Sequence, residues 1–394
     1  MVQKSINKNI LIEMIEQLDL PESIDRKVRE RYISLSSWFE RENSSLRDIN
    51  IDIFSQGSFA LGTTIKPLKE DEEYDLDMGC KLNIEGYKGS HTQEELKQII
   101  GQELELYRNR VGIEKPLEEK RRCWRLEYKD EVGFHLDIVP CIPLENERKA
   151  LYEQRLYETY GYEETFNQEV AHFAVNITDT ENENYSSLSD EWNISNPQGY
   201  VRWFQNQMQK SNQAIFESRA SIEPVPVYEQ KSILQRCIQL LKRHRDNMFE
   251  ENKDSKPISI IITTLASRAY DGEQDLEEAI INIINKMPLY ISSQKPRVPN
   301  PVKPEEDFTD RWDNPKFSHL NLEENFKIWL NQAYLDFKKL LEKEKTEEIR
   351  SILNENFSLN VSSERLEKEF GYKAPSMPTV QVIKNPSTKP WCPK

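Results

Sequence analysis

The chain has 394 residues, 37% hydrophobic and 31% charged, with 12 Gly and a formal net charge of −15. This balance excludes a fibrous protein, and no apolar run reaches the roughly 20 residues that a membrane-spanning helix needs. An acidic surface repels polyanions, so stable duplex-DNA binding is not expected, and the length accommodates two domains or one bilobal unit with a cleft.

The N-terminal residues alternate charge with apolar positions and lack the continuous core of a signal peptide, which predicts a cytoplasmic protein with no membrane partner. From Leu18 to about Ser45, Val28, Tyr32, Leu35 and Phe39 recur at helical spacing, and one long amphipathic helix opened by Pro21 and Glu22 is expected. INIDIFSQGSF then alternates as a strand running into Gly57, and a charged loop leads to a second strand around Tyr74 to Lys81. Thr92 and Glu95 form a capping box at the start of the next helix. CWRLEYKDEVGFHLDIVPC reads as a hairpin turning near Asp130 to Gly133. The first part of the chain thus carries a mixed sheet with flanking helices.

Beyond Asp137 the segment NITDTENENYSSLSDEWNISNPQGY is polar and suits an exposed connection. Helices are expected from Tyr200 to about Arg219, Tyr228 to Phe249, Ser259 to Ala269 and Leu276 to Ile291. Pro296, Pro299, Pro301, Pro304 and Pro315 make the next stretch an extended or turning loop. A charged helix follows from about Leu322 to Asn356, and the tail from Tyr372 is expected to be extended. The Cys residues (Cys80, Cys123, Cys141, Cys237, Cys392) are widely separated with no CxxC pair, so free thiols are expected. The scattered His residues, His135 among them, are read as structural.

Three acids stand out. Residues two apart on a strand share a face, so Asp75 and Asp77 in EYDLDMG point one way while Leu76 and Met78 point into the core. Asp137 lies on a second strand among Leu136, Ile138 and Val139, where an acid is costly unless compensated, and a bound cation is one compensation. Nucleotidyl transfer needs such a platform, because its transition state spreads charge that two Mg²⁺ ions roughly 3.5 to 4 Å apart can clamp. Upstream, Gln56, Gly57 and Ser58 form a turn whose glycine lets backbone approach a phosphate, with the Ser hydroxyl and successive amides as donors. The competing readings are a solvated acidic loop for KEDEEYDLD and a simple helix cap for Ser58.

Gly57-Ser58, Asp75-Leu76-Asp77 and Asp137 together resemble the signature of the polymerase-β-like nucleotidyltransferases. QGSFALGTTIKP, HLDIVPC, WNISNPQGYVRWF, PISIIITTLASRAY and NPVKPEEDFTDRW further resemble the bacterial CD-NTases, or SMODS nucleotidyltransferases, relatives of the animal cyclic GMP-AMP synthase. The resemblance implies an α+β fold: a bilobal core with a mixed sheet, a long N-terminal spine helix and a helical second lobe. It places the catalytic core at residues 1–195, the helical lobe at 196–371 and an extended tail at 372–394. It implies Asp75, Asp77 and Asp137 as catalytic and metal-holding residues for two Mg²⁺, with Mn²⁺ as a substitute. The substrates it implies are nucleoside triphosphates, ATP with GTP, UTP or CTP as alternatives. The product would be a cyclic di- or trinucleotide second messenger, made with release of pyrophosphate and acting on a separate effector in anti-phage defence, with a regulatory protein as a further partner. A template-independent transferase making linear products or extending RNA, and an inactive scaffold, remain as alternatives.

The same resemblance makes Lys242 and Ser259 candidates for the triphosphate, although Lys242, with Arg243 and Arg245, is read as part of a solvated helix face. Asn196, Ser195 and Tyr270 are candidates for contact with a base, set against a turn-forming Ser-Asn-Pro and a core Tyr.

Overall fold

The computed structural model describes residues 2–69, 72–128, 133–210 and 231–362. The expected helix opens at Pro21 and Glu22 as α2 (Glu22–Phe39), and a separate helix, α1 (Val2–Leu18), precedes it. Pro21 supplies no amide donor and pushes the residue before it out of helical geometry, which separates them. The second helix ends at Phe39, short of Ser45. Glu103 draws the following residues away, accepting from Arg41 Nη2 at 2.6 Å, Ser45 N at 3.0 Å and Ser45 Oγ at 2.7 Å. The two helices serve different cores. Ile10, Leu11, Met14 and Leu18 of α1 pack with the helical half of the molecule, whereas Ile24, Val28, Leu35 and Phe39 of α2 pack beneath the sheet.

The sheet contains β1 (Ile51–Ser55), β2 (Tyr74–Leu82), β3 (Glu118–Glu119), β4 (Trp124–Tyr128) and β5 (Phe134–Pro143) in the order β1-β2-β5-β4-β3. Strands β2 and β5 run parallel and β4 and β5 form the expected antiparallel hairpin. Leu76, Met78, Leu126, Leu136 and Ile138 fill the face covered by α2 and α4 (Gln93–Val111). The Thr92–Glu95 capping box opens α4, with Glu95 N donating to Thr92 Oγ1 at 3.1 Å and Thr92 N to Glu95 Oε2 at 2.8 Å. A short helix α3 (Gly57–Ala60) follows β1.

After α5 (Asn146–Tyr160) and α6 (Glu164–His172) the polar segment is not simply an exposed connection. Strand β6 (Val175–Ile177) pairs with the end of β5, and β7 (Asn193–Ser195) pairs with β6. Asn176, Thr178 and Asp179 are buried, and Asp179 accepts from Arg121, Arg122 and Asn193. Hydrogen bonds to the edge of β5 and to two guanidinium groups offset the burial that composition alone argues against.

The helical lobe holds α7 (Pro197–Gln209), α8 (Ile233–Met248), α9 (Ser259–Ala269), α10 (Leu276–Lys286), α11 (Leu322–Leu341) and α12 (Thr346–Phe357). The expected extension of α7 to Arg219 and the tail from Tyr372 lie outside the described residues. The expected helix from Leu322 to Asn356 is two, because Phe326, Trp329 and Phe337 of α11 and Ile349, Leu353 and Phe357 of α12 reach one cluster only if the chain turns back between them. The Pro-rich loop contains a small ladder, β8 (Pro299–Asn300) with β9 (Lys303–Asp307), anchored where Asp307 accepts the amides of Arg297, Val298 and Thr309. Residues of α5 and α6 pack with the helical cluster as α1 does, so the two cores do not divide the chain at a single point. Among the described residues no helix is long and apolar enough to cross a membrane.

Candidate active site

The parallel register of β2 and β5 sets Asp77 directly beside Asp137 and Asp75 beside His135. Strand β4 completes that rung with Arg125 opposite Asp137. Because strand side chains alternate, Asp75, Asp77, Asp137 and Arg125 all rise from the sheet face opposite the apolar one. Leu76 and Met78 are buried, as expected.

Gln56 N donates to Asp77 O at 2.8 Å, carrying the β1–β2 pairing one residue further before the chain turns into α3. At that turn Gly57 has φ +60°, and a Cβ there would stand 2.3 Å from Asp77 Oδ2. Only glycine tolerates both the conformation and the proximity, so the turn passes directly over the acid. Ser58 Oγ lies 3.1 Å from Thr64 Oγ1, and Thr63 N donates to Ser58 O at 2.9 Å, folding the next residues back on the turn.

The acids repel one another. Burial, followed by the charges of Asp137 and Asp75, raises the Asp77 carboxyl to about 6, while Arg125 opposes the rise. Arg125 Nε and Nη2 each donate at 2.7 Å to the two oxygens of Asp137, which strengthens the hold of Arg125 on its own proton. Among the described residues no three His, Cys, Asp or Glu side chains close on one point, and both Asp137 oxygens face Arg125. The donor set nevertheless suits a divalent ion. Three hard carboxylates share a face, and the excess negative charge that lifts Asp77 is the kind a bound cation relieves.

The remaining candidates fare differently. Lys242 is not on a solvated face: it is 4% exposed, Arg243, His244 and Arg245 are buried beside it, and its Nζ donates to Thr63 O and Oγ1 at 3.1 Å. Burial lowers its ammonium to about 7. The lobe carrying α8 closes on the loop after α3, and a single helix cannot reveal that from its own periodicity. Ser259 opens α9 and its Oγ accepts from Arg245 Nη1 at 2.9 Å.

Asn196 is fully engaged within the fold, capping α7 by accepting Gly199 N at 2.9 Å and donating to Val170 O at 2.7 Å and Tyr152 Oη at 3.3 Å. It is withdrawn as a nucleotide contact. Tyr270 is buried, with its hydroxyl donating to Glu273 O, and is likewise a core residue. Ser195 ends the short strand β7. His135 pairs with Glu73. Cys80, Cys123, Cys141 and Cys237 are free thiols, and burial with the nearby Asp137 raises Cys123 to about 12.

Arg125 was not singled out from sequence, although the expected hairpin, once its two strands are paired antiparallel, brings it opposite Asp137 and so carried the signal. Thr63, Thr64, Gln235 and Gln239, which join the loop to α8, were also missed.

A mixed sheet with D-x-D on one strand, a third acid in register on its parallel neighbour and a Gly-Ser turn over the pair is a nucleotidyltransferase core with a helical second lobe. Residues 51–141 match the family model described as cyclic GMP-AMP synthase DncV-like, nucleotidyltransferase domain. A c-di-GMP synthase of Roseivirga ehrenbergii is 29% identical over 341 residues, 84% of this chain and 79% of that protein. The cyclic dinucleotide synthase CdnG of Bradyrhizobium diazoefficiens is 27% identical over 313 residues, 77% of this chain and 69% of that one. In fold, the CdnG structure with GTP from the same organism aligns with TM-score 0.60 at 21% identity, covering 93% of this chain and 98% of its own. Vibrio cholerae DncV with a linear pppA(3′,5′)pG intermediate aligns with TM-score 0.52 at 16% identity, covering 92% and 89%. Residues 51–141 thus match a DncV-like nucleotidyltransferase domain, and over most of its length the chain is similar to the CD-NTases.

Proposed function

We propose that this nucleotidyltransferase links two nucleoside triphosphates into a cyclic dinucleotide at Asp75, Asp77 and Asp137, with GTP as one substrate. The observation that carries the reading is the β2–β5 register, with Asp77 beside Asp137 and the Gly57 turn against Asp77. The relatives named for cyclic dinucleotide synthesis support the reaction class, and the one named c-di-GMP synthase supports guanine as a base.

Each bond forms when a ribose hydroxyl oxygen attacks an α-phosphorus, the bond to pyrophosphate breaks and the hydroxyl proton is lost. Two such events close the ring. Asp75, Asp77 and Asp137 would hold two Mg²⁺, which on binding supply charge stabilisation for the attacking and leaving oxygens. Gly57 and Ser58 orient the polyphosphate, the former by leaving room above Asp77 and the latter through its hydroxyl and amide. Lys242 supplies positive charge behind the same loop, and Ser259 stands behind Arg245 on that side. Arg125 keeps Asp137 in place and must release at least one of its oxygens for a metal ion to enter. The product is a second messenger for a separate effector in anti-phage defence, a role supported by the family resemblance.

The test is incubation of the full chain with all four labelled triphosphates and Mg²⁺, then phosphatase digestion and mass spectrometry. A phosphatase-resistant cyclic dinucleotide containing guanine is expected, and it should disappear in the Asp75→Ala, Asp77→Ala double variant. A linear or RNA-linked product, or activity surviving that double change, overturns the assignment.

A further inference from the structure

Helix α8 presents a polar stripe at a lobe junction where an apolar one is the common expectation. Gln235, Gln239 and Lys242 are spaced i, i+4, i+7, which puts them on one side of the helix, and they are 1%, 0% and 4% exposed. Gln235 Nε2 donates to Leu61 O at 2.8 Å, Gln239 Nε2 to Thr64 O at 2.8 Å, and Lys242 Nζ to Thr63 O at 3.1 Å. Each loop residue so held touches the Gly57-Ser58 turn in its own way. Leu61 N donates to Gly57 O at 3.3 Å, Thr63 N donates to Ser58 O at 2.9 Å, and Thr64 Oγ1 lies 3.1 Å from Ser58 Oγ.

We propose that Gln235 and Gln239 are positioning residues which, through Leu61 and Thr64, hold the Gly57-Ser58 turn in the geometry that receives the β and γ phosphates. This rests on the assignment of that turn to the triphosphate. Neither glutamine touches the nucleotide in this scheme. Buried amides spent on two backbone carbonyls are costly to leave unmatched, so the loop has one favoured seat on α8. Gln239 is fixed in turn, donating also to Asp19 Oδ1 at 3.1 Å and accepting from Arg236 Nη1 at 3.3 Å. Gln235 closes the capping box of α8, accepting from Ser232 N at 2.7 Å.

The most informative variant is Gln235→Glu, because a Glu at that position keeps the acceptor of the capping box while setting a carboxylate oxygen, which repels rather than donates, against Leu61 O. Gln239→Met, which preserves length and volume, removes the donor to Thr64 O. The full chain is assayed for KM and kcat with GTP and for competitive inhibition by GMP, which lacks β and γ phosphates, with circular dichroism as the check on folding. In each variant KM for GTP should rise about tenfold, with kcat and the GMP inhibition constant within about twofold of the parent. Equal losses for GTP and GMP would reduce the glutamines to general packing, and unchanged values for both variants would remove the relay. Failure of the functional reading looks different, since the parent itself would then make no product and show no affinity for GTP.

Discussion

Replacing Asp77 by Asn isolates the charge crowding on the β2–β5 rung. In the folded protein the Asp77 carboxyl rises from the usual 3.8 to about 6, because burial and the charges of Asp137 and Asp75 disfavour its ionised form. At ~1.4 kcal/mol for each tenfold change in proton affinity, this corresponds to ~3 kcal/mol of folding free energy lost when Asp77 is ionised. The sign follows from proton binding. Between pH 4 and pH 6 the folded state holds the proton more tightly than the unfolded state, so stability falls as pH rises through that window and levels off above it. Asn carries no such penalty. With an unfolding entropy of ~2.1 cal/mol/K per residue over 394 residues, ~3 kcal/mol raises Tm by about 3–4 °C if the chain unfolds in one step. Differential scanning calorimetry in EDTA should therefore find Asp77→Asn more stable than the parent at pH 8 and equal to it at pH 3.5. Mg²⁺ with a non-hydrolysable triphosphate should reverse the order at pH 8 by stabilising the parent alone. A variant less stable than the parent at pH 8, or equally shifted at both pH values, would refute the argument.

Gly57→Ala places a methyl group against Asp77 Oδ2 and forces an L residue to φ +60°; kcat/KM for GTP should fall on the order of a hundredfold, as displacement of a catalytic group by about 1 Å does, while circular dichroism stays native. Arg125→Met frees both oxygens of Asp137, so Mn²⁺ binding measured by electron paramagnetic resonance should tighten, and the metal-free protein should lose roughly 1–3 kcal/mol in urea titration from unpaired carboxylates. Lys242, lowered to about 7 by burial, would on the proposed assignment act on phosphate as its ammonium, but is favoured neutral in the free protein above that pH. KM for triphosphates should accordingly rise as pH increases through 7. Lys242→Met should show a high KM without that dependence, and Lys242→Glu a higher one still, whereas an unchanged KM in both would detach Lys242 from the site.

Local chemistry was legible wherever a few neighbouring residues decide the outcome. Thr92 and Glu95 announced a helix start because both halves of the capping box lie within four residues. The alternation through Asp75, Leu76, Asp77 and Met78 disclosed a strand with acids on one side, and the polar sequence between Tyr128 and Phe134 announced the hairpin that bears Asp137. What escaped depends on partners distant in the chain. Arg243 donates to Lys66 O at 2.7 Å and Lys242 to Thr63, contacts across the lobe junction that turn an apparently solvated basic face into a buried one. Asn196 looked available for a base because the acceptors of its side-chain amide, Val170 O and Tyr152 Oη, come from elements distant in the chain. The parallel register that unites Asp77 and Asp137 likewise needs the whole α4 crossover and hairpin between them, which no local pattern specifies.

The break at Pro21 bears on how the two halves of the molecule can move. An unbroken rod would couple any rotation of the helical half rigidly to the catalytic sheet. Here the rod is cut at its crossing point, and Asp19, beside the cut, is gripped by Lys231 and Arg236 at 2.6 Å each. The connection is a three-residue elbow, 19–21, whose first residue is tied to the helical half, so any change in the angle between α1 and α2 would have to fall on Leu20 and Pro21.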